Sequence, residues 1–68
     1  MKIYKHYFRS GKLMRTARII KQNEWYVFET SECIGENAPK PYEININMPR
    51  FRTESEATHW IENNNEWQ

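Results

Sequence analysis

Between Tyr42 and Met48 the chain alternates apolar and polar residues without interruption: Tyr42, Ile44, Ile46 and Met48 fall on one side, Glu43, Asn45 and Asn47 on the other. A period of two predicts a β-strand with one buried face, and Pro49 ends it because proline has no N–H to give to a ladder. Upstream, Ile3, Tyr4, Tyr7, Phe8, Thr16, Ile19 and Ile20 are the β-branched and aromatic types that favour a pleated strand. The cations among them recur every three or four residues, which taken alone would suit a helix. Ser10-Gly11 breaks that run, so the pattern predicts strands over 2–9 and 12–21 joined by a two-residue turn. A reversal at Gln22-Asn23 leads into a third strand over 25–31, and the Tyr42–Met48 strand is the fourth.

Residues 32–41 carry one of the two glycines and two of the three prolines, the chemistry of a loop. Thr53-Glu54-Ser55-Glu56 has the form of a capping box, with the Thr53 hydroxyl serving the Glu56 amide and the Glu56 carboxylate reaching back. A helix starts there. Ala57, Trp60 and Ile61 form its apolar stripe, Glu54, His59, Glu62 and Asn63 face water, and the asparagines at 63–65 end it. Trp67 lies in the tail, where it can fold back or stay out. The order β-β-β-β-α describes one α+β domain over residues 1–68: a four-stranded antiparallel meander with one C-terminal helix packed on one face.

Two-residue turns set the register, with Phe8 across from Leu13, Tyr4 from Ala17, and Ala17 from Phe28. One face then collects Tyr4, Phe8, Leu13, Ala17, Ile19, Tyr26 and Phe28, interrupted by His6 opposite Arg15. The other collects Ile3, Tyr7, Met14, Ile20, Trp25 and Val27 among Lys5, Arg9, Lys12, Arg18 and Glu29. Both faces are about half apolar. A helix of about ten residues is about 15 Å long and covers only one side of such a sheet. We assign the first face to the core, which leaves the second as a surface for binding.

Net charge is only +1, yet residues 1–23 hold seven cations and no acid, while the remainder sets nine glutamates against Lys40, Arg50 and Arg52. That division points either to a basic docking surface or to basic strands folding against acidic ones. Aromatic residues at 15% argue for a folded chain. No apolar run approaches the roughly 20 residues that cross a bilayer, and the N-terminus lacks the apolar stretch of a signal peptide. No membrane association and a cytoplasmic location are expected. The single cysteine, Cys33, excludes an internal disulfide and fits a reducing compartment.

The chemistry of an enzyme is hard to place. Glycines at 11 and 35 alone cannot build a dinucleotide or phosphate-binding loop, so no nucleotide cofactor is expected. His6, His59 and Cys33 sit on separate elements without paired spacing, so no metal is expected. Cys33 lacks an electropositive neighbour in sequence and reads as a small apolar filler. Glu54 and Glu56 diverge on the helix and serve capping and dipole compensation.

The second sheet face is therefore the candidate site, made of Lys5, Tyr7, Arg9, Lys12, Met14, Arg18, Ile20, Trp25 and Val27. Trp, Tyr, Met and Arg are enriched at protein interfaces, which makes a protein partner the leading expectation for a non-enzymatic inhibitor or adaptor. Single-stranded nucleic acid is the alternative, with rings stacking on bases and cations tracking phosphates. A sequence pI near 7.9 is low for that role. A homodimer through the same face is the third reading. The loop at 32–41, with Lys40 between two prolines, is a second place for recognition. In size and in its richness in Asn and Ile the chain resembles accessory proteins of phages and other mobile elements, several of which occlude a host protein. That resemblance rests on no motif and transfers no residue.

Overall fold

Ten residues of β2, Leu13–Gln22, run antiparallel to ten of β3, Trp25–Ile34, from the Gln22↔Trp25 pair at the turn to Leu13↔Ile34 at the far end. This ribbon is the spine of the molecule. The structure, a computed structural model, describes residues 2–7, 13–34 and 40–67. The short strand β1, Tyr4–Tyr7, pairs with β2, and the two-residue β4, Glu43–Ile44, pairs with β3, so the sheet order is β1-β2-β3-β4. One helix, α1, spans Glu54–Glu62 and completes the expected β-β-β-β-α order.

The turn between β2 and β3 is Asn23-Glu24, one residue later than Gln22-Asn23. Two-residue hairpin loops need a positive φ at their first central residue, and Asn23 takes it at 58°. Asparagine tolerates that region because its short side chain can bond locally. The later turn moves Ala17 from opposite Phe28 to opposite Thr30 and places Ile19 opposite Phe28. Two positions of slip leave every side chain on its original face. Tyr4 faces Ala17 as expected, whereas Phe8, Arg9, the Ser10-Gly11 turn and Lys12 lie outside the described residues.

The fourth strand is the main departure. The strand stops at Ile44, with one further backbone bond from the Asn45 amide to the Phe28 carbonyl at 2.9 Å, where an alternation to Met48 predicts a longer strand. Asn45 accepts the Asn47 amide on Oδ1 at 2.9 Å, and the Met48 amide bonds the Asn45 carbonyl at 3.3 Å. These local bonds close a turn that competes with the ladder. Ile46 on this turn is 89% exposed, Ile44, paired with Glu29, is 37% exposed, and of the four residues Met48 alone packs against the core, so the continuous buried face expected for this segment does not form. Pairing resumes after Pro49, where Phe51 and Tyr26 exchange backbone hydrogen bonds at 2.7 and 2.9 Å.

The core is one cluster of Tyr4, Ala17, Phe28, Ala57, Ile61 and Trp67, with Ile19, Tyr26, Met48, Phe51 and Trp60 packed around it. Thr53 caps α1 by accepting the Glu56 amide at 3.2 Å, while the Glu56 carboxylate takes the Thr53 hydroxyl at 3.0 Å. The cap aims Ala57 and Ile61 at the sheet. Each large apolar side chain that is fully buried contributes about 1.5–3 kcal/mol, and in this cluster Phe28 and Ile61 are such side chains.

Nine helical residues span about 14 Å, against about 33 Å for a ten-residue ribbon. The helix therefore covers only part of its own side. Beyond it Trp67 folds back, sets its ring edge-on to His6 at 5.5 Å and takes the Arg15 guanidinium at 5.3 Å from its ring centre. The polar pair that interrupts the core face in sequence is thus roofed by the tail.

Candidate functional site

On the side of the sheet away from α1, alternation places Lys5 and Tyr7 from β1, Met14, Thr16, Arg18 and Ile20 from β2, and Trp25, Val27 and Glu29 from β3. Seven of the nine residues expected to form a binding face therefore share it, and Arg9 and Lys12 lie outside the described residues. They do not form one continuous platform. Tyr7 stands across from Met14 and Trp25 across from Gln22, eight positions apart on β2 and so about 26 Å along the strand.

A polar crossing divides the two ends. Arg18 Nε donates to Glu29 Oε1 at 2.8 Å, across the Arg18↔Glu29 pair of the ladder. The Arg18 guanidinium carbon lies 4.0 Å from the Tyr42 ring centre, and the Tyr42 hydroxyl is 3.0 Å from Thr16 Oγ1. Tyr42 thus lies over the middle of the face. The charge of Arg18 is partnered by a carboxylate and covered by a ring, which leaves it little to offer a ligand.

One end holds Tyr7, 58% exposed, with exposed Lys5 and half-buried Met14. The other end is denser. Ile20 pairs with Val27, both half-buried, and beside them the Arg50 and Arg52 guanidinium carbons each lie 4.1 Å from the Trp25 ring centre. Cation–π contact at that distance holds the ring and the two cations together. Arg52 also meets Glu24 at 3.2 Å, whereas Arg50 has no carboxylate partner among the described residues. A surface groove continues from this cluster, lined by Gln22, Val27, Ile44, Ile46, Met48 and Arg50.

Sequence reasoning misses Arg50, Arg52, Tyr42 and Ile46 as parts of this surface. The usable signal was Arg50-Phe51-Arg52: if Phe51 points into the core, a pleat sends both arginines to the opposite face, beside Trp25. Pro49 obscured it, because a proline that ends one pairing need not prevent the next. The loop expected over 32–41 begins later, since β3 runs on to Ile34, and Lys40 rejoins the edge of the sheet through its amide to the Glu32 carbonyl at 2.9 Å.

Among the described residues no three His, Cys, Asp or Glu side chains converge to hold a metal, and no helix is long and apolar enough to cross a membrane. His59 is exposed on α1, and His6 is engaged by Arg15. Comparison of the chain with protein-family models, curated proteins and solved structures finds no match.

Proposed function

We propose that this chain is a small non-enzymatic binding protein that docks on a partner protein through the Trp25 end of the open sheet face. The observation that carries this reading is Ile46, a large apolar side chain 89% exposed on a groove that leads to Trp25, Arg50 and Arg52. Exposed aliphatic groups beside a ring and two guanidiniums have the composition of an interface centre. Arg50, with no carboxylate partner among the described residues, selects a partner that presents an acidic side chain next to an apolar anchor. Binding of this kind works by occlusion or by adaptation, with no chemistry asked of the chain.

The spacing of the rings favours protein over single-stranded nucleic acid. Successive bases stack on neighbouring rings, whereas Tyr7 and Trp25 stand about 26 Å apart with Arg18 already bound to Glu29 between them.

A photo-crosslinking residue at position 46, with one at exposed Glu56 on α1 as control, tests the reading in extract of the source cell. Nuclease-resistant crosslinks from position 46 to an acidic site on one partner, weakened by Arg50→Glu, are expected. Trp25→Ala should cost about 2 kcal/mol of affinity, or about thirtyfold. Crosslinks to the chain itself with a doubled mass would replace the proposal with a homodimer. Binding to a single-stranded oligonucleotide with a steep salt slope would replace it with the nucleic-acid reading.

A further inference from the structure

The backbone of β1 has two sides, and the hydrogen bonds farther along the sheet identify which residues use each. Tyr26 exchanges bonds with Phe51, the Asn45 amide bonds the Phe28 carbonyl, and the Lys40 amide bonds the Glu32 carbonyl, so these β3 residues direct their backbone groups away from β2. In an antiparallel ladder the direction alternates at each residue. Trp25, Val27, Glu29 and Ser31 therefore bond β2, their partners Gln22, Ile20, Arg18 and Thr16 bond back, and the intervening Ala17 and Arg15 turn toward β1. Tyr4 and His6 answer them. By the same alternation the N–H and C=O of Lys5 and Tyr7 point outward from the sheet, and among the described residues nothing pairs with them.

An open edge of this kind invites another strand, and proteins commonly guard it with a lysine. Lys5 stands on this edge, exposed and without a carboxylate partner among the described residues, since Glu62 binds Lys2 instead. A guard charge repels a like-charged strand and attracts an opposite one. A second copy of the chain would bring its own basic stretch, seven cations and no acid over residues 1–23, against the first. An acidic strand meets no such opposition. We infer that the outer edge of β1 receives an extended acidic segment of a partner protein as a fifth strand, with main-chain bonds to Lys5 and Tyr7 and a carboxylate beside the Lys5 ammonium. Pairing of this type takes affinity from the main chain and specificity from alternate side chains. It goes beyond the docking proposed for Trp25, which lies at the other end of the sheet, and stands or falls separately.

Two octapeptides test it, one alternating valine with glutamate and one alternating valine with lysine, each titrated onto the full chain by fluorescence anisotropy and amide exchange. The glutamate peptide is expected to bind and to slow exchange at the Lys5 and Tyr7 amides, and the lysine peptide to do neither. Lys5→Pro deletes an outward N–H and the ammonium together while leaving every bond from β1 to β2 intact, and should weaken the glutamate peptide about tenfold or more, as expected for one main-chain bond and the charge beside it. Should that variant fail to fold, Lys5→Glu carries the test by reversing the preference between the peptides. Equal affinity for both peptides, binding that leaves the two amides unprotected, or a doubled mass with the Lys5 amide protected in the absence of peptide would overturn the inference.

Discussion

The Tyr4 hydroxyl donates to Glu62 Oε2 at 3.0 Å, and Lys2 Nζ reaches the same oxygen at 2.8 Å. The first strand is thereby fastened to the last residue of the helix, 58 positions away. The three groups shift one another's proton affinities. Hydrogen bonds from Lys2 and then Tyr4 lower the pKa of Glu62, burial and then Glu62 raise that of Tyr4, and Glu62 raises that of Lys2.

The signs of these shifts define a window of pH. A lowered carboxyl pKa adds stability that is present above its ordinary range and is lost as pH falls through the folded value. Raised pKa values on Tyr4 and Lys2 add stability that is present below their ordinary 10.0 and 10.5 and is lost as pH rises through the folded values. Thermal denaturation at low salt should therefore show a plateau with an acid limb and an alkaline limb, and Glu62→Gln should flatten the acid limb and reduce the alkaline one only in part, because the burial that raises Tyr4 first remains. An acid limb unchanged in Glu62→Gln would remove this cluster from the account.

Trp67 closes the part of the core that α1 is too short to reach, over His6 and Arg15. Arginine has no acceptor, so the 2.8 Å contact between Arg15 Nη2 and His6 Nδ1 has Arg15 donating to an unprotonated ring nitrogen. Nitrogen NMR should find the His6 proton on Nε2. Trp67→Ala should cost about 3 kcal/mol or more, the usual loss for a buried ring, and should release that tautomer preference. A loss below 1 kcal/mol in urea denaturation would mean that the tail does not roof this end.

Ile46 and Ile61 have the same side chain and opposite roles. Ile61→Ala in the core should cost about 2–5 kcal/mol, whereas Ile46→Asp on the exposed turn should change stability by about 0.5 kcal/mol or less. Equilibrium urea unfolding separates them. A large loss in Ile46→Asp would restore the continuous buried strand that alternation alone predicts.

That contrast shows where the sequence was legible. The first three strands, the pairing parity and the capped helix each had a physical cause confined to neighbouring residues: side-chain period, turn chemistry, and the Thr53–Glu56 pair. The Asn45 turn also is local, but in sequence it competes with a period-two pattern of equal weight, and the structure decides for the turn through the bonds of Asn45 to Asn47 and Met48. Arg50 and Arg52 join Trp25 through pairing of Phe51 with Tyr26, 25 positions away, which no local pattern announces. Of the candidate face, strand alternation puts the seven described members on one side of the sheet and could not reveal that Arg18, Glu29 and Tyr42 divide it.

The cluster at Trp25 has an internal tension that a double-mutant cycle can measure. Two guanidiniums at 4.1 Å from one ring centre attract the ring and repel each other, and Glu24 relieves only Arg52. Removing Arg50 alone deletes one attraction and one repulsion together, so Arg50→Ala should change stability little. Repeating it in a Trp25→Leu background, where only the repulsion remains, should instead stabilise the chain. The coupling between Trp25 and Arg50 should come to about 0.5–1 kcal/mol, the usual worth of a cation–π contact near the surface. Urea denaturation of the four proteins supplies the cycle, and high salt should weaken the repulsion more than the coupling. A coupling of zero would mean that Arg50 and the ring are neighbours without mutual attraction, leaving the Trp25 end of the face without its preformed basic anchor.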